Sequence, residues 1–245
     1  MSDAPSKVLA GTSGWAYPTW KPGFYPAGTS AKKFLGFYAS QLNSVEVNYT
    51  FRTLPTGAML DGWLAATPSD FRFSFKAPQG ITHFKRLRDC AAAVDEFLIA
   101  LEPVREAGKL GLLFFQLPPN FKADAERLAS FLSMPSLAGR QLVFEFRHES
   151  WFTDATYQVL AASHAALCVA ESDDLATPEV HPAPGLACFR LRRTGGYTPE
   201  ELKAFATRFR DLAKTREVYA YFRHEDEPTG PLNAASLLQT LGARG

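Results

Sequence analysis

Two short runs decide the fold of this chain: SVEVNY at residues 44–49 and LVFEFR at residues 142–147. Successive side chains of a strand point to opposite faces, so each run has one apolar face and one face that carries a glutamate, Glu46 or Glu145. Both runs lie between helical patterns, as strands do in a parallel sheet covered on both faces. A carboxylate inside such a sheet costs several kcal/mol unless it is paired, hydrogen-bonded or facing a polar cavity. The two glutamates therefore indicate a site.

Strand-like and helical patterns alternate along the rest of the chain. The predicted strands lie at residues 7–12, 44–50, 71–76, 110–116, 141–147, 166–171, 186–192 and 217–222, and the predicted helices at 30–42, 57–66, 90–107, 122–133, 154–163, 198–214 and 231–242. Eight strands with intervening helices favour a barrel over an open doubly wound sheet, and 245 residues is close to the typical barrel length of about 250. Three prolines and a glycine at 172–185 favour a loop in place of a sixth helix. The sequence thus predicts a single α/β domain over residues 1–245, an irregular TIM-like (β/α)8 barrel.

Composition narrows the class of protein further. Hydrophobic residues make up 46% of the chain and charged residues 21%, as in globular proteins with a large core. The formal net charge is +1, so no overall field favours nucleic acid or a membrane. The beginning of the chain has no apolar stretch of signal-peptide length, and the scattered residues Cys90, Cys168 and Cys188 show no zinc spacing. We expect a cytoplasmic protein without a membrane partner, in which the cysteines are buried and reduced.

Polar side chains follow most of the predicted strands, at the carboxyl face where barrel enzymes build their sites. Convergence from several strands is stronger evidence than any single residue. The candidate ligand-binding residues are Trp15, Asn48, Lys76, Gln116, Arg147, Trp151, Arg190 and Arg192. The candidate catalytic residues are Glu46, Glu145, His83 and His148, and no residue is predicted as a metal ligand.

The two glutamates have two interpretations. Glu46 and Glu145 form an acid/base pair if unequal surroundings separate their pKa values. Alternatively, they belong to a buried structural network in which Glu145 pairs with Arg147 or Lys76. The alternation places Glu145 and Arg147 on one face, pointing into the barrel, and both interpretations stay open at this point.

The histidines and the metal hypothesis are less specific. His83 and His148 each follow the end of a predicted strand, where an imidazole serves either as a proton shuttle or as a hydrogen-bonding loop cap. The sequence has no His-X-His pair, no His-Glu-X-X-His motif and no aspartate-rich loop. A metal site is therefore only weakly indicated.

Two basic runs suggest an anionic ligand: HFKRLR at 83–88 and RLRRTGG at 190–196. The second run follows the predicted seventh strand, where barrels commonly bind phosphate on glycine-rich backbone. Trp15 and Trp151 carry rings that can stack on a base or a sugar, although a ring at a barrel mouth also packs as a lid.

Five ordered motifs resemble the YecE-like family, domain of unknown function 72. They are GTSGW at 11–15 with Tyr17, Trp20 and FYP at 24–26; VEVN at 45–48 with Phe51; FSFKAP at 73–78 with ITH at 81–83; KLG at 109–111 with QLPP at 116–119; and FEFRH at 144–148 with WF at 151–152. The resemblance implies an irregular TIM-like barrel and implies no particular activity. Many members carry His-Gly after the seventh strand, where this chain has RRTGGY at 192–197, and an asparagine-containing segment after the eighth, where it has RHEDE at 223–227.

Three functions fit these observations, and the sequence identifies no cofactor. The leading hypothesis is an enzyme acting on an anionic, phosphorylated sugar- or nucleotide-like ligand, with Lys76, Arg147 and Arg192 as anion contacts. The second is a non-catalytic protein that binds nucleic acid or a phosphometabolite with the same basic rim. The third, a metal-dependent phosphodiesterase resembling the endonuclease IV barrels, rests on fold analogy alone. Carboxylates facing an open cavity would favour catalysis, and buried, paired glutamates beside a broad basic surface would favour binding.

Overall fold

The computed structural model describes residues 8–171, 175–223 and 226–242. Eight parallel strands lie in one sheet in the order β1-β8-β7-β6-β5-β4-β3-β2, which confirms the predicted TIM-like barrel. The strands are Val8–Thr12 (β1), Ser44–Val47 (β2), Arg72–Lys76 (β3), Leu110–Gln116 (β4), Leu142–Glu145 (β5), Ala166–Glu171 (β6), Leu186–Leu191 (β7) and Glu217–Phe222 (β8). The α-helices are Phe34–Gln41 (α1), Gly57–Ala65 (α2), Ala91–Ala100 (α3), Glu102–Glu106 (α4), Ala125–Leu132 (α5), Asp154–Ala162 (α6), Pro199–Leu212 (α7) and Thr229–Leu241 (α8).

Alternation along the strands produces two apolar cores, one on each side of the sheet. The outer core lies between the strands and the helices, where Phe115 and Phe144 stack with their ring centroids 5.1 Å apart. The inner core fills the barrel and includes Phe114 and Val143. It ends where the guanidinium carbon of Arg190 lies 4.8 Å from the centroid of the Phe114 ring. A charged layer therefore covers the inner core toward the carboxyl ends of the strands.

Side chains close the barrel between β1 and β2. These two strands, both described in full, share one isolated bridge and no continuous ladder. The Asn43 amide donates to the Val8 carbonyl at 3.0 Å and accepts from the Ala10 N–H at 2.8 Å. The Tyr38 hydroxyl accepts from the Thr12 N–H at 2.8 Å and donates to the carbonyl of the first β2 residue at 3.0 Å. Main-chain groups that a ladder would satisfy are thus satisfied by one amide and one phenol.

The predicted helix at 90–107 is wrong in one respect, because the segment forms two helices that meet at Leu101. Pro103 has no N–H to donate and its ring clashes with the carbonyl four residues earlier, so one continuous helix cannot form. Residues 175–185 contain no helix, as the prolines predicted, while 172–174 lie outside the described residues.

The second and fifth strands are shorter than predicted. They end at Val47 and Glu145, whereas the prediction extended them to residues 50 and 147. Arg147, which the prediction placed on the fifth strand, therefore lies two residues beyond its end, and it is exposed. Among the described residues, no helix is long and apolar enough to cross a membrane.

Candidate functional site

A cavity of about 600 Å³ opens at the carboxyl ends of the strands. It is lined by residues from β3, β4, β5 and β7 and from the loops after β1 and β2, in the way that barrel sites are built. The lining residues are Tyr17, Asn48, Tyr49, Phe51, Arg52, Thr53, Lys76, Gln116, Glu145, Arg147, Arg190 and Arg192. Six of the eight predicted ligand-binding residues thus meet at one place, together with one predicted catalytic glutamate.

Arg190 lies at the floor of this cavity between the two glutamates. Its Nε and Nη2 atoms donate to the two carboxylate oxygens of Glu46 at 2.9 and 2.5 Å, and its Nη1 atom donates to Glu145 at 2.5 Å. Arg190 is 2% exposed, Glu46 0% and Glu145 4%. Burial alone would raise the pKa of Glu145, but the charges of Arg190 and Arg192 outweigh it and lower the pKa. The Glu145 carboxyl is therefore ionised at neutral pH.

A chain of hydrogen bonds leads from this cluster to Lys76. Glu145 accepts from the Gln116 amide nitrogen at 2.9 Å, and the Gln116 amide oxygen accepts from the Lys76 ammonium at 2.8 Å. The structural network expected from the sequence paired Glu145 with Arg147 or Lys76. The observed ion partner is Arg190 instead, and Lys76 reaches Glu145 only through the Gln116 amide.

Lys76 is a titratable group of the cavity whose pKa is well below that of an ordinary lysine. Burial lowers the pKa of Lys76 to about 8, and the charge of Arg190 acts in the same direction while the two glutamates oppose it. The Lys76 nitrogen lies 4.2 Å from the centroid of the Phe51 ring, which covers one side of the amine.

The cavity has an excess of positive charge. Among the described residues, its lining includes five cationic side chains and the carboxylate of Glu145, and Arg190 also binds the buried carboxylate of Glu46. Burial and the proximity of Arg190 lower the pKa of Arg192, as happens when like charges are placed close together. The floor therefore carries a net charge of about −1, the four other cations lie in the walls, and the cavity as a whole has an excess of about three positive charges at neutral pH.

The basic run at 190–196 divides between two environments. Arg190 and Arg192 line the cavity, whereas Arg193 forms an ion pair with Glu201 of α7 at 2.6 Å. Glu201 also completes the capping box of α7 with Thr198, so Arg193 belongs to the packing of that helix. Of the eighth-strand departure at 223–227, residues 224 and 225 lie outside the described residues.

The two candidate histidines border the cavity in different ways. His83 packs edge-on against Phe51 with centroids 5.0 Å apart, and its Nδ1 atom shares a hydrogen bond with Thr82 Oγ1 at 2.9 Å. Burial and the charges of Lys76 and Arg147 lower the pKa of His83, so its ring is neutral at pH 7.

His148 lines a second cavity of about 440 Å³, which shares Glu145 and Arg147 with the first. Its Nδ1 atom accepts a hydrogen bond from the Ser150 N–H at 3.1 Å. The ring therefore caps the short 3-10 helix Glu149–Trp151.

Two predicted rings lie outside the cavity lining. Trp15 packs edge-on against Trp63 with centroids 5.1 Å apart. Trp151 is buried, stacks on Phe146 at 4.6 Å and donates its indole N–H to the Phe121 carbonyl at 2.7 Å. The rings that line the cavity are those of Tyr17, Tyr49 and Phe51.

Five of the lining residues were not in the candidate set: Tyr17, Tyr49, Phe51, Arg52 and Thr53. Four of them follow β2, where the chain turns into the 3-10 helix Tyr49–Phe51. The prediction extended the strand to residue 50 and took only Asn48 from this segment into the candidate set. An earlier end to β2 would have brought Tyr49 and Arg52 into the candidate set.

The donor set does not fit a catalytic metal. Across residues 8–171, 175–223 and 226–242, no group of three or more His, Cys, Asp or Glu side chains is placed to hold a metal ion. Glu46 and Glu145 already bind Arg190, which takes the place that a cation would occupy between them.

The fold and the site together define a TIM-like barrel with a positively charged cavity at the carboxyl ends of its strands. The chain belongs to the family described as "Protein of unknown function DUF72", whose sequence model matches residues 9–245. This match confirms the resemblance noted above.

Two curated relatives match part of the chain. The UPF0759 protein YunF of Bacillus subtilis strain 168 is 29% identical over 156 residues, covering 62% of this chain and 54% of that protein. The UPF0759 protein YecE of Escherichia coli K12 is 34% identical over 147 residues, covering 59% of this chain and 50% of that protein. The matched part thus spans about half the length of these curated relatives.

Solved structures agree with the fold. A DUF72 family protein from Thermotoga maritima MSB8 superposes with a TM-score of 0.82 and 25% identity, over 96% of this chain and 99% of that one. A DUF72 family protein from Enterococcus faecalis V583 has a TM-score of 0.76 and 16% identity, over 96% and 95% of the two chains. A methyltransferase from Methanosarcina mazei, at 13% identity and a TM-score of 0.53 over 99% and 94% of the two chains, shares the fold only.

Proposed function

We propose that the protein is an enzyme acting on an anionic, phosphorylated sugar- or nucleotide-like ligand bound in the carboxyl-end cavity. The observation that carries this proposal is the excess of positive charge in the walls of a cavity of about 600 Å³. A cavity of that volume holds a ligand of sugar-phosphate or nucleotide size. A phosphate with up to two negative charges would offset most of the excess and would be attracted to it.

The side chains divide into a floor and walls in this proposal. Arg190 holds Glu46 and Glu145 at the floor and is compensated by them, so it is not the anion contact. Arg147 and Arg192 meet the phosphate from the walls, with the fork geometry that suits it.

In the same proposal, Lys76 is the residue that donates and accepts the proton. A pKa of about 8 makes this amine an acid/base group at neutral pH. The lowered pKa of Glu145 keeps that carboxylate ionised, so it serves as a hydrogen-bond acceptor or base and not as a general acid.

Calorimetric titration and product analysis test this function. Glucose 6-phosphate and AMP should bind, whereas glucose and adenosine should not, and one of the phosphorylated compounds should be converted to a product detectable by NMR. The Arg147→Ala/Arg192→Ala double variant should weaken binding at least about tenfold, because two charge-assisted contacts are lost.

The matched control is Arg193→Ala, since Arg193 pairs with Glu201 outside the cavity. It should bind like the original protein. Equal binding of phosphorylated and unphosphorylated compounds, or unchanged binding by the double variant, would remove the anion proposal. Tight binding without turnover would remove the enzymatic part.

A second candidate, non-catalytic binding of nucleic acid, is favoured by the surface beside the cavity. Phe84 is 74% exposed within the basic run at 83–88, and the preceding His83 ring packs on Phe51 of the cavity. An exposed ring among cations suits stacking on an unpaired base. A labelled single-stranded oligonucleotide should then bind with strong salt dependence and lose affinity in Phe84→Ala. Binding that is insensitive to Phe84→Ala rejects this candidate.

A further inference from the structure

Among the described residues, the buried Lys109 and the half-buried Lys76 have different polar surroundings. Lys109 lies at the amino end of β4, where its nitrogen donates to the Leu64 carbonyl, the Thr67 carbonyl and the Thr67 hydroxyl at 2.9, 2.7 and 3.0 Å. All three of its N–H bonds are used. Lys76 donates to Gln116 at 2.8 Å, contacts the Phe51 ring and lines the cavity. Its nitrogen is therefore held in place while remaining open to a ligand.

The surroundings of Lys76 increase the neutral fraction of its amine. A lysine becomes a nucleophile when it is removed from water or placed beside another cation, and Lys76 meets both conditions. Burial and the charge of Arg190 lower its pKa to about 8. At pH 7.5 the neutral fraction of such an amine exceeds that of an ordinary lysine by roughly a hundredfold.

We infer that Lys76 is a nucleophilic residue that forms an imine with the carbonyl carbon of a phosphorylated aldehyde or ketone bound in the cavity. This inference rests on the proposed function, because the phosphate is what would bring the carbonyl group to the amine. It names the substrate class more narrowly, as sugar-like compounds that carry both a phosphate and a reactive carbonyl group.

The step balances without an oxidant or a reductant. The lone pair of Lys76 Nζ forms a bond to the carbonyl carbon, the C=O π pair moves to oxygen, and that oxygen takes up a proton to give a carbinolamine. The nitrogen loses a proton to water, its lone pair then forms the C=N bond, and the oxygen leaves as water after a second protonation. The protonated imine carries one positive charge where the ammonium stood, so Glu145 and Gln116 meet the same charge before and after the step.

Reductive trapping tests this inference. The protein is incubated with glycolaldehyde phosphate or with unphosphorylated glycolaldehyde in the presence of cyanoborohydride, and the modified lysines are mapped by mass spectrometry. With the phosphorylated probe, Lys76 should be modified at least about tenfold faster than the exposed Lys85, because more of its amine is neutral. The rate at Lys76 should rise with pH to a plateau above pH 8. Lys85→Met is the matched control and should leave the modification of Lys76 unchanged.

The outcomes separate this inference from the proposed function. Equally fast modification of Lys76 by both probes supports the nucleophile and overturns the phosphate site. A rise in melting temperature with glycolaldehyde phosphate, but modification of Lys76 no faster than that of Lys85, overturns the nucleophile and leaves the phosphate site standing. If glycolaldehyde phosphate causes neither a rise in melting temperature nor preferential modification of Lys76, both the nucleophile and the phosphate site are overturned. In Lys76→Met the fast modification should be absent, and the other lysines should be modified at unchanged rates.

Discussion

Polar groups at the two ends of this barrel have different hydrogen-bond partners. At the amino end, Lys109 donates to two main-chain carbonyls and a hydroxyl, and Asn43 bonds to two main-chain groups of β1. At the carboxyl end, Gln116 and Lys76 bond to other side chains around a cavity. Bonds to fixed backbone stabilise the fold, whereas side chains that bond to one another can rearrange around a ligand. The comparison separates an end that holds the barrel closed from an end that is suited to binding.

The largest expected effect on stability is at the floor of the cavity, which lies between the two ends of the barrel. Glu46→Gln removes the charge that Arg190 binds through two hydrogen bonds, and it leaves a fully buried guanidinium with one carboxylate. Two charge-assisted hydrogen bonds, worth about 1.5–3 kcal/mol each, are weakened while Glu145 still pairs with Arg190, so the free energy of unfolding should fall by about 3–5 kcal/mol. Urea denaturation measures the change.

Glu145→Gln is the matched variant at the same floor. Arg190 keeps both bonds to Glu46, so we expect a loss of only about 1 kcal/mol. Equal losses of unfolding free energy in the two variants would show that both glutamates stabilise the fold to the same extent. The floor would then have a structural role like that of the amino end, and would not be part of the binding site.

The next effect concerns the amides at the two ends. Asn43→Ala removes two buried hydrogen bonds, one to the Val8 carbonyl and one from the Ala10 N–H, and it should cost about 3 kcal/mol of unfolding free energy. Gln116→Ala should cost about 1 kcal/mol, because its partners border a cavity where water can replace the amide. The exposed Gln41→Ala is the control for loss of an amide as such. A larger loss of unfolding free energy for Gln116→Ala than for Asn43→Ala would mean that the carboxyl end contributes more to stability than the amino end, against this account.

The smallest stability effect is the pH dependence that Lys76 contributes. Its pKa is about 8 in the folded protein and 10.5 for an ordinary lysine, so between these values the unfolded chain binds more protons. The free energy of unfolding should therefore rise with pH in this window, by about 0.5–1 kcal/mol from pH 7 to 8.5 from this group alone. Lys76→Met should lose that part of the rise, and the exposed Lys32→Met should keep it. Parallel profiles for the original protein and Lys76→Met would mean that the pKa of Lys76 is not lowered.

The succession of strand and helix patterns predicted the barrel, and side-chain alternation within the strands predicted its charged layer. Alternation placed Glu46 and Glu145 inside because the period of two is a property of the backbone. It did not predict that both bind Arg190, which lies 144 residues after Glu46. Alternation gives the face on which a side chain lies, but not its distance from residues on other strands. Which cation reaches which carboxylate depends on the position of each strand around the barrel and on side-chain length.

The remaining errors have local causes. The prediction treated Arg147 as a strand residue because it continues the alternation of β5, but the strand ends two residues earlier. Trp151 follows the same strand and was predicted to bind ligand. It is held instead by stacking on Phe146 and by its bond to the Phe121 carbonyl. A single sequence does not distinguish a ring that covers a ligand from one that covers the core.

One measurement tests the central claim that the carboxyl end is built for an anion and the amino end for stability. Melting temperatures are compared for Lys76→Met and Lys109→Met, with and without glucose 6-phosphate. Lys109→Met should melt well below the original protein and keep the rise caused by the ligand. Lys76→Met should melt near or above the original temperature, since a desolvated charge is removed. It should show a smaller rise with the ligand, since one positive charge of the cavity is lost while Arg147 and Arg192 remain. If Lys76→Met is as destabilised as Lys109→Met and keeps the full rise with the ligand, the two ends do not differ in the way described and the claim is wrong.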